Sequence, residues 1–179
     1  MLDTQIIGNV RDFLRWVFGN ASRITDPKLK VFLYTASRAT TKIIIDAGGY
    51  KDYDNIGRRP AIYVDMAPSQ DMTVNQLQDY TVTVDSVDQT SAADVHLDSG
   101  QIMVYCVGLE AAQTRALAKE VYDAIRKYSG TLKDDFSLFS ITALQKEQPK
   151  PMGQEGGPAD AYIATVAVPW TRFDSWTVS

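Results

Sequence analysis

The chain's one histidine, His96, stands two residues from an aspartate on either side, Asp94 and Asp98. In an extended segment positions 94, 96 and 98 share a face, so they could form a His–Asp acid–base pair or a weak metal site. The setting favours a plainer role. Asp98 opens the turn-like run Asp98-Ser99-Gly100, Asp94 belongs to a polar lead-in, and a lone imidazole beside a hairpin usually just hydrogen-bonds. No second histidine exists to serve as a base, and no serine has the glycine setting of a strained nucleophile elbow. Cys106, the only cysteine, lies in the apolar run QIMVYCVG, which predicts a buried, inert thiol. Asp134-Asp135 fit turn chemistry and solvation, and DAGGY lacks the spacing and lysine of a phosphate-cradling loop. Arg58 and Arg59 could grip a carboxylate or phosphate, but before a strand they fit a solvated edge or half of an inter-subunit ion pair. The residues therefore predict no catalytic group, no metal ligand and no cofactor. A small hydrolase or metal-dependent enzyme using His96, Asp94 and Asp98 is the alternative.

Composition narrows the classes further. A length of 179 residues, 45% hydrophobic and 22% charged, predicts one globular domain over 1–179. Eighteen basic residues against twenty-two acidic ones give a net charge of −4, which disfavours a dedicated nucleic-acid binder. A wall that DNA slides past remains compatible with that balance. A single cysteine excludes an intrachain disulfide framework. No basic leader precedes a long apolar stretch, and no run approaches the ~20 apolar residues that span a bilayer, so the expectation is a chain that stays in a reducing compartment without a membrane partner.

The elements that must position these groups read as follows. Residues 3–18 form an amphipathic helix with Ile6, Val10, Phe13, Leu14 and Val17 on one stripe and Gly19-Asn20 at its end. Trp16 and Phe18 fall away from the stripe's centre, which fits either a second contact or a widened stripe that sits deeper in the core. DPKLKVFLYTASR could start a helix with Pro27 in its first turn, but the β-branched and aromatic run VFLYT, then TTKIII, favours extended segments, and 46–60 reads as turn chemistry. PAIYVDM is a strand, SQDMTVNQLQD a polar connection with a helical turn, and YTVTVDSV a strand with one wet face. ADVHL and QIMVYCV read as hairpin arms around Asp98-Ser99-Gly100, the second arm central in its sheet. Residues 109–128 are the most secure helix, with Leu117, Val121, Ala124, Ile125 and Tyr128 as its buried stripe. FSLFSITAL and DAYIATVAVPW supply two more strands. The polar separator between them, 146–160, is rich in proline and glycine and is expected not to pack on its own but to be mobile or to meet a partner. Together these predict an α+β fold, an antiparallel or mixed sheet packed by helices on one face.

The end of the chain, VAVPWTRFDSW, is unusually aromatic. Val166, Val168 and Trp170 share a strand face and belong with the core, while Pro169 suggests an edge or a bend. Beyond it Phe173 and Trp176 cannot share one extended face with Trp170, so at least one ring should meet another subunit. The candidate interface residues are Phe13, Trp16 and Phe18 on the first helix, Arg58 and Arg59, Met152 in the separator, and Trp170, Arg172, Phe173 and Trp176 at the end.

The order of RRPAIYV, a hairpin into QIMVYCVGLEAAQTRALAKEVYDAI, FSLFSI, a long polar loop and a closing VAVPWTRFDSW resembles the tail terminator proteins of long-tailed bacteriophages, over residues 58–179. The resemblance implies a non-enzymatic ring, usually a hexamer, that caps the last ring of the tail tube protein, halts its polymerisation and offers its other face to the head-completion or connector protein. It equally touches other neck components, the head-closure and head–tail adaptor proteins. In such a ring DNA would pass an acidic lumen without specific binding.

Overall fold

In the computed structural model, which describes residues 3–34, 43–48, 60–66, 74–84, 87–134, 140–141, 145–155 and 160–177, the first apolar stripe becomes helix α1 (Asp3–Phe18). Its expected stripe, Ile6, Val10, Phe13, Leu14 and Val17, is buried. Gly19 follows its last residue, at a place where a Cβ would stand 2.8 Å from the carbonyl oxygen of Arg15. A 3₁₀ turn (Ala21–Arg23) follows, its Asn20 side chain accepting from the Ser22 amide.

The run beginning at Pro27 is a short helix, not the extended segment that VFLYT suggested: α2 (Pro27–Leu33). Asp26 Oδ1 accepts from the amides of Lys28 and Leu29 at 2.8 and 3.0 Å, and Pro27 occupies a first-turn position where no donor is needed. Leu29 and Leu33, one helical turn apart, both enter the core, and that burial outweighs the strand propensity of Val31 and Phe32. Strand β1 (Ile44–Ala47) follows. Of the turn-rich run only its start is described, where Gly48 takes the positive φ of 67° that turn chemistry calls for. Arg58 and Arg59 lie outside the described residues.

Strand β2 (Ala61–Met66) is as expected, but the next two readings need correction. The end of the supposed polar connection is part of β3 (Val74–Val84), and β4 runs unbroken through Asp98-Ser99-Gly100 as twenty-two residues (Val87–Gly108). The reversal lies between Val84 and Val87, which face each other across the ladder. The last strand explains why residues 98–100 do not turn. β8 (Tyr162–Thr177) pairs with β4 from Gly108↔Tyr162 to Ala93↔Thr177, so the ladder crosses the suspected turn without a break.

After β4 come α3 (Ala111–Lys127), as foreseen, and a short α4 (Ser129–Asp134), which was not. Thr114, Leu117, Ala118, Glu120, Val121, Ala124 and Ile125 form the buried side of α3, and Tyr128 is half-buried. Gly108 lets the helix start close to the strand, since a Cβ there would stand 2.9 Å from Thr114 Oγ1. Short strands β5 (Ser140–Ile141), β6 (Gln145–Lys146) and β7 (Lys150–Pro151) then lie in turn against β8.

The result is an α+β fold around one mixed sheet, ordered β1-β2-β4-β8-β5 with β3 beside β4 and β6 and β7 beside β8. Only β1 and β2 run parallel. Helices α1, α2 and α3 cover one face, where Ile62, Val64, Ile102, Val104, Val166 and Val168 meet their apolar stripes. A smaller cluster on the opposite face gathers Ala61, Tyr63, Val107, Ala161 and Ile163 around Met152.

Two expectations about the last third are also corrected. The separator packs: Gln145 faces Ala167, Lys146 faces Val166, Lys150 faces Ile163, and the Met152 amide donates to the Ala161 carbonyl at 2.8 Å. The strand does not end at Pro169, which pairs with Gln101 inside the continuous β4–β8 ladder. The Glu147 amide donates to the Thr165 carbonyl, so odd-numbered residues of β8 turn their backbone groups away from β4. Pro169 therefore lacks a donor only on that side, between the short pairings of β5 and β6.

Candidate interface surfaces

Three of the six aromatic residues expected to serve a partner, Phe13, Phe18 and Trp170, are buried inside the chain. Phe13 and Phe18 are 0% and 1% exposed, Met152 0% and Trp170 6%, so these four side chains are packed in the core of the chain itself. The reason for Phe18 is α2, whose Tyr34 C-cap closes over the end of α1 and donates its hydroxyl to the Phe18 carbonyl. Trp16 is half-buried at a corner of its own making. Phe13 stacks on it at 6.1 Å between centroids, Tyr128 meets it edge-on at 5.3 Å, and the Arg23 guanidinium lies 3.8 Å from its ring centre. Arg23 also donates to the Trp16 carbonyl at 2.6 Å, which fixes the cation on the ring.

A buried carboxylate that the sequence reading missed holds this corner to α3. Glu120 is 3% exposed, and its two oxygens accept from the Thr25 amide at 2.7 Å, the Asp26 amide at 3.2 Å and the Thr25 hydroxyl at 3.0 and 3.2 Å. Those amides precede α2, where no intrahelical partner exists for them. Burial, reinforced by the Glu120 charge and opposed by Arg23, pushes the Tyr34 phenol up to about 12. Position 120 follows the apolar Leu117 at helical spacing, and a charge on that stripe was the available signal.

Arg172, Phe173 and Trp176 lie on the C-terminal part of β8, which belongs to a different region. Residues 74–84 of β3, 87–99 of β4 and 171–177 of β8 form a three-stranded arm that prolongs the sheet. Among the described elements β3 has an extensive neighbour only in β4. Register and strand alternation divide the arm's residues between two faces. By register, Asp79, Asp88, Asp94, His96, Asp98, Arg172 and Asp174 fall in one alternating set of positions together with Leu77 and Trp176; the other set contains no charged residue type. To that second set belong Val82, Val95, Leu97 and Phe173 among serines, threonines and glutamines.

The register sets His96 opposite Asp174 on one side and Asn75 on the other, with Asp94 and Asp98 on its own strand and face. Asp98 is thus a strand residue facing Arg172, not a turn residue. No group of three or more His, Cys, Asp or Glu able to hold a metal occurs among the described residues. Cys106 is fully buried under the helices, and burial raises its thiol far above the ordinary range, as its apolar run predicted. Remaining large apolar residues exposed among those described are Val31 on α2 and Leu109 before α3. No described helix is long and apolar enough to cross a membrane.

Comparison with protein-family models and with curated proteins finds no match for the chain.

Proposed function

We propose that the chain is a structural virion protein that forms a ring, usually of six copies, caps the tail tube, stops its polymerisation and joins the tail to the head. The sequence resemblance to tail terminators supplies the class. The observation that carries the reading is the arm: three strands continue past the helix-covered sheet, with the charged residues in one alternating set of positions and none in the other.

Such an arm is poor economy for an isolated chain. A three-stranded extension with an uncharged face gains stability when that face or its edges meet a neighbour. A ring offers that neighbour in every subunit by repeating one head-to-tail contact. The acid-bearing face suits the channel wall, where carboxylates repel DNA phosphates and let the genome pass without sticking. Capping is then templated: one side of the ring copies the contacts of a tube subunit, and the other lacks the surface to receive the next.

The test is assembly of the tail tube protein in vitro with and without the chain, followed by electron microscopy. Tubes that stop growing and carry one ring at an end support the reading. Tubes of unchanged length with bare ends overturn it.

A further inference from the structure

We infer that the outer face of α3 and the strand beside it form a receiving site for a carboxylate-rich segment of a partner protein, centred on Arg126 and Lys146 at the ring of Tyr122. The inference does not rest on the ring reading.

Away from its buried side, α3 carries Arg115, Lys119, Tyr122 and Arg126 in one stripe at three- and four-residue spacing. Helical rise makes that row about 16 Å long. Lys119 is spent on Asp123, one turn on, and Arg115 donates to Gln148 at 3.2 Å in the segment between β6 and β7. Arg126 and Lys146 differ from these. Both are exposed, and among the described residues neither has a carboxylate within ion-pair distance. Each lies instead over the same aromatic ring, the Arg126 guanidinium 5.6 Å and the Lys146 ammonium 5.5 Å from the centre of Tyr122.

That convergence points to an anion. Arg126 alone would be explained by its place in the last turn of α3, where a cation suits the negative end of the helix dipole. Lys146 comes from β6 and has no such reason to be there. The two cations are no more than about 11 Å apart, the sum of their distances to the ring centre. That is about one screening length at moderate salt, so their repulsion is only partly quenched. An anionic group set between them binds both and relieves it, and Tyr122 brings a hydroxyl donor to the same place.

Carboxylates of a protein fit the surroundings better than phosphates of a nucleic acid. Asp123 adjoins Tyr122 and Glu147 adjoins Lys146 in the chain, so acidic residues are interleaved with the cations. A nucleic-acid strand carries a charge on every residue and would meet them, and the net charge of −4 opposes such a polyanion as a whole. A peptide can set a glutamate or aspartate between Arg126 and Lys146 and uncharged residues against Asp123 and Glu147.

The test takes the full chain, a fluorescein-labelled peptide of glutamates spaced by serines, and a labelled oligothymidylate of equal charge, and measures fluorescence anisotropy at low ionic strength. The peptide should bind wild type and lose about tenfold in affinity in the double variant Arg126→Gln/Lys146→Gln. Lys28→Gln/Lys30→Gln, which removes the same charge from α2, should change the affinity less than about twofold. Circular dichroism checks that both variants fold. Should the first fold poorly, carbodiimide coupling of the peptide to wild type decides, with attachment expected at Lys146 and not at Lys28. Failure of the peptide to bind wild type, equal losses in two folded double variants, or equal coupling at Lys146 and Lys28 overturns the inference. Tighter binding of the oligothymidylate, lost in Arg126→Gln/Lys146→Gln, would give the site to a nucleic acid and likewise overturn the protein partner. Tube capping is read in a separate assay, so either proposal can fail without the other.

Discussion

Trp170 lies across Gly100: the two are cross-strand partners of β8 and β4, and a Cβ built on Gly100 would stand 2.7 Å from Cζ2 of the indole. Glycine is required there by a ring, not by a turn. The ring is 6% exposed and sits in the main core, so it has little room to move aside. Gly100→Ala should therefore destabilise the chain by about 1–3 kcal/mol through overpacking, measured as a fall in the urea midpoint. An unchanged midpoint would mean that the indole does not lie over the strand.

Glu120 should matter to stability although it has no place in the proposed contact. Glu120→Ala removes the acceptor of the Thr25 and Asp26 amides in a part-buried site, at a cost of about 1–3 kcal/mol. Glu120→Gln keeps one carbonyl acceptor and should cost roughly half as much. Chemical denaturation of both variants checks the order.

Tyr34 gives the fold an alkaline sensitivity. Its phenol titrates near 10 when unfolded and near 12 in the folded chain, so folding favours the protonated form. The contribution is whole below pH 10, declines as the unfolded state ionises first, and is gone above pH 12. Tyr34→Phe should flatten stability against pH over that window. A wild-type profile already flat between pH 10 and 12 would contradict the burial of this hydroxyl.

Met152 anchors the separator beneath the sheet. Met152→Ala opens a cavity beside Ile163 and Val107 and should cost about 2–4 kcal/mol. It should also speed limited proteolysis between residues 145 and 155, where the short bridges of β6 and β7 have little else to hold them.

Cys106 should stay silent toward a thiol-specific disulfide reagent in the folded chain and react once the chain is denatured. Burial with no nearby cation leaves it a protonated, inaccessible thiol. Rapid reaction under native conditions would place it elsewhere than under the helices.

Helices α1 and α3, strands β2 and β8 and the burial of Cys106 were legible because each shows its period over enough residues for one face to declare itself. Where reading failed, the deciding partner was distant in sequence. VFLYT is strand-like by composition, but Asp26 caps a helix and Glu120, some ninety residues on, takes the amides that precede it. Asp98-Ser99-Gly100 has the residues of a turn, yet β8 holds it straight. Phe18 and Met152 look spare until α2 and the second sheet face are folded over them.

The sequence by itself determined the α+β class, the amphipathic stripes and the period-two alternation of the terminal strands, because these depend on spacing along one segment. Only the tertiary structure decided that β4 is one strand of twenty-two residues, that β3 and the end of β8 flank it as an arm, and that the arm's charges fall in one alternating set of positions. The reason is physical: the register of β4 with β8 joins residues far apart in the chain, from Gly108 with Tyr162 to Ala93 with Thr177, and the hydrogen bonds that set it leave no trace in either segment alone.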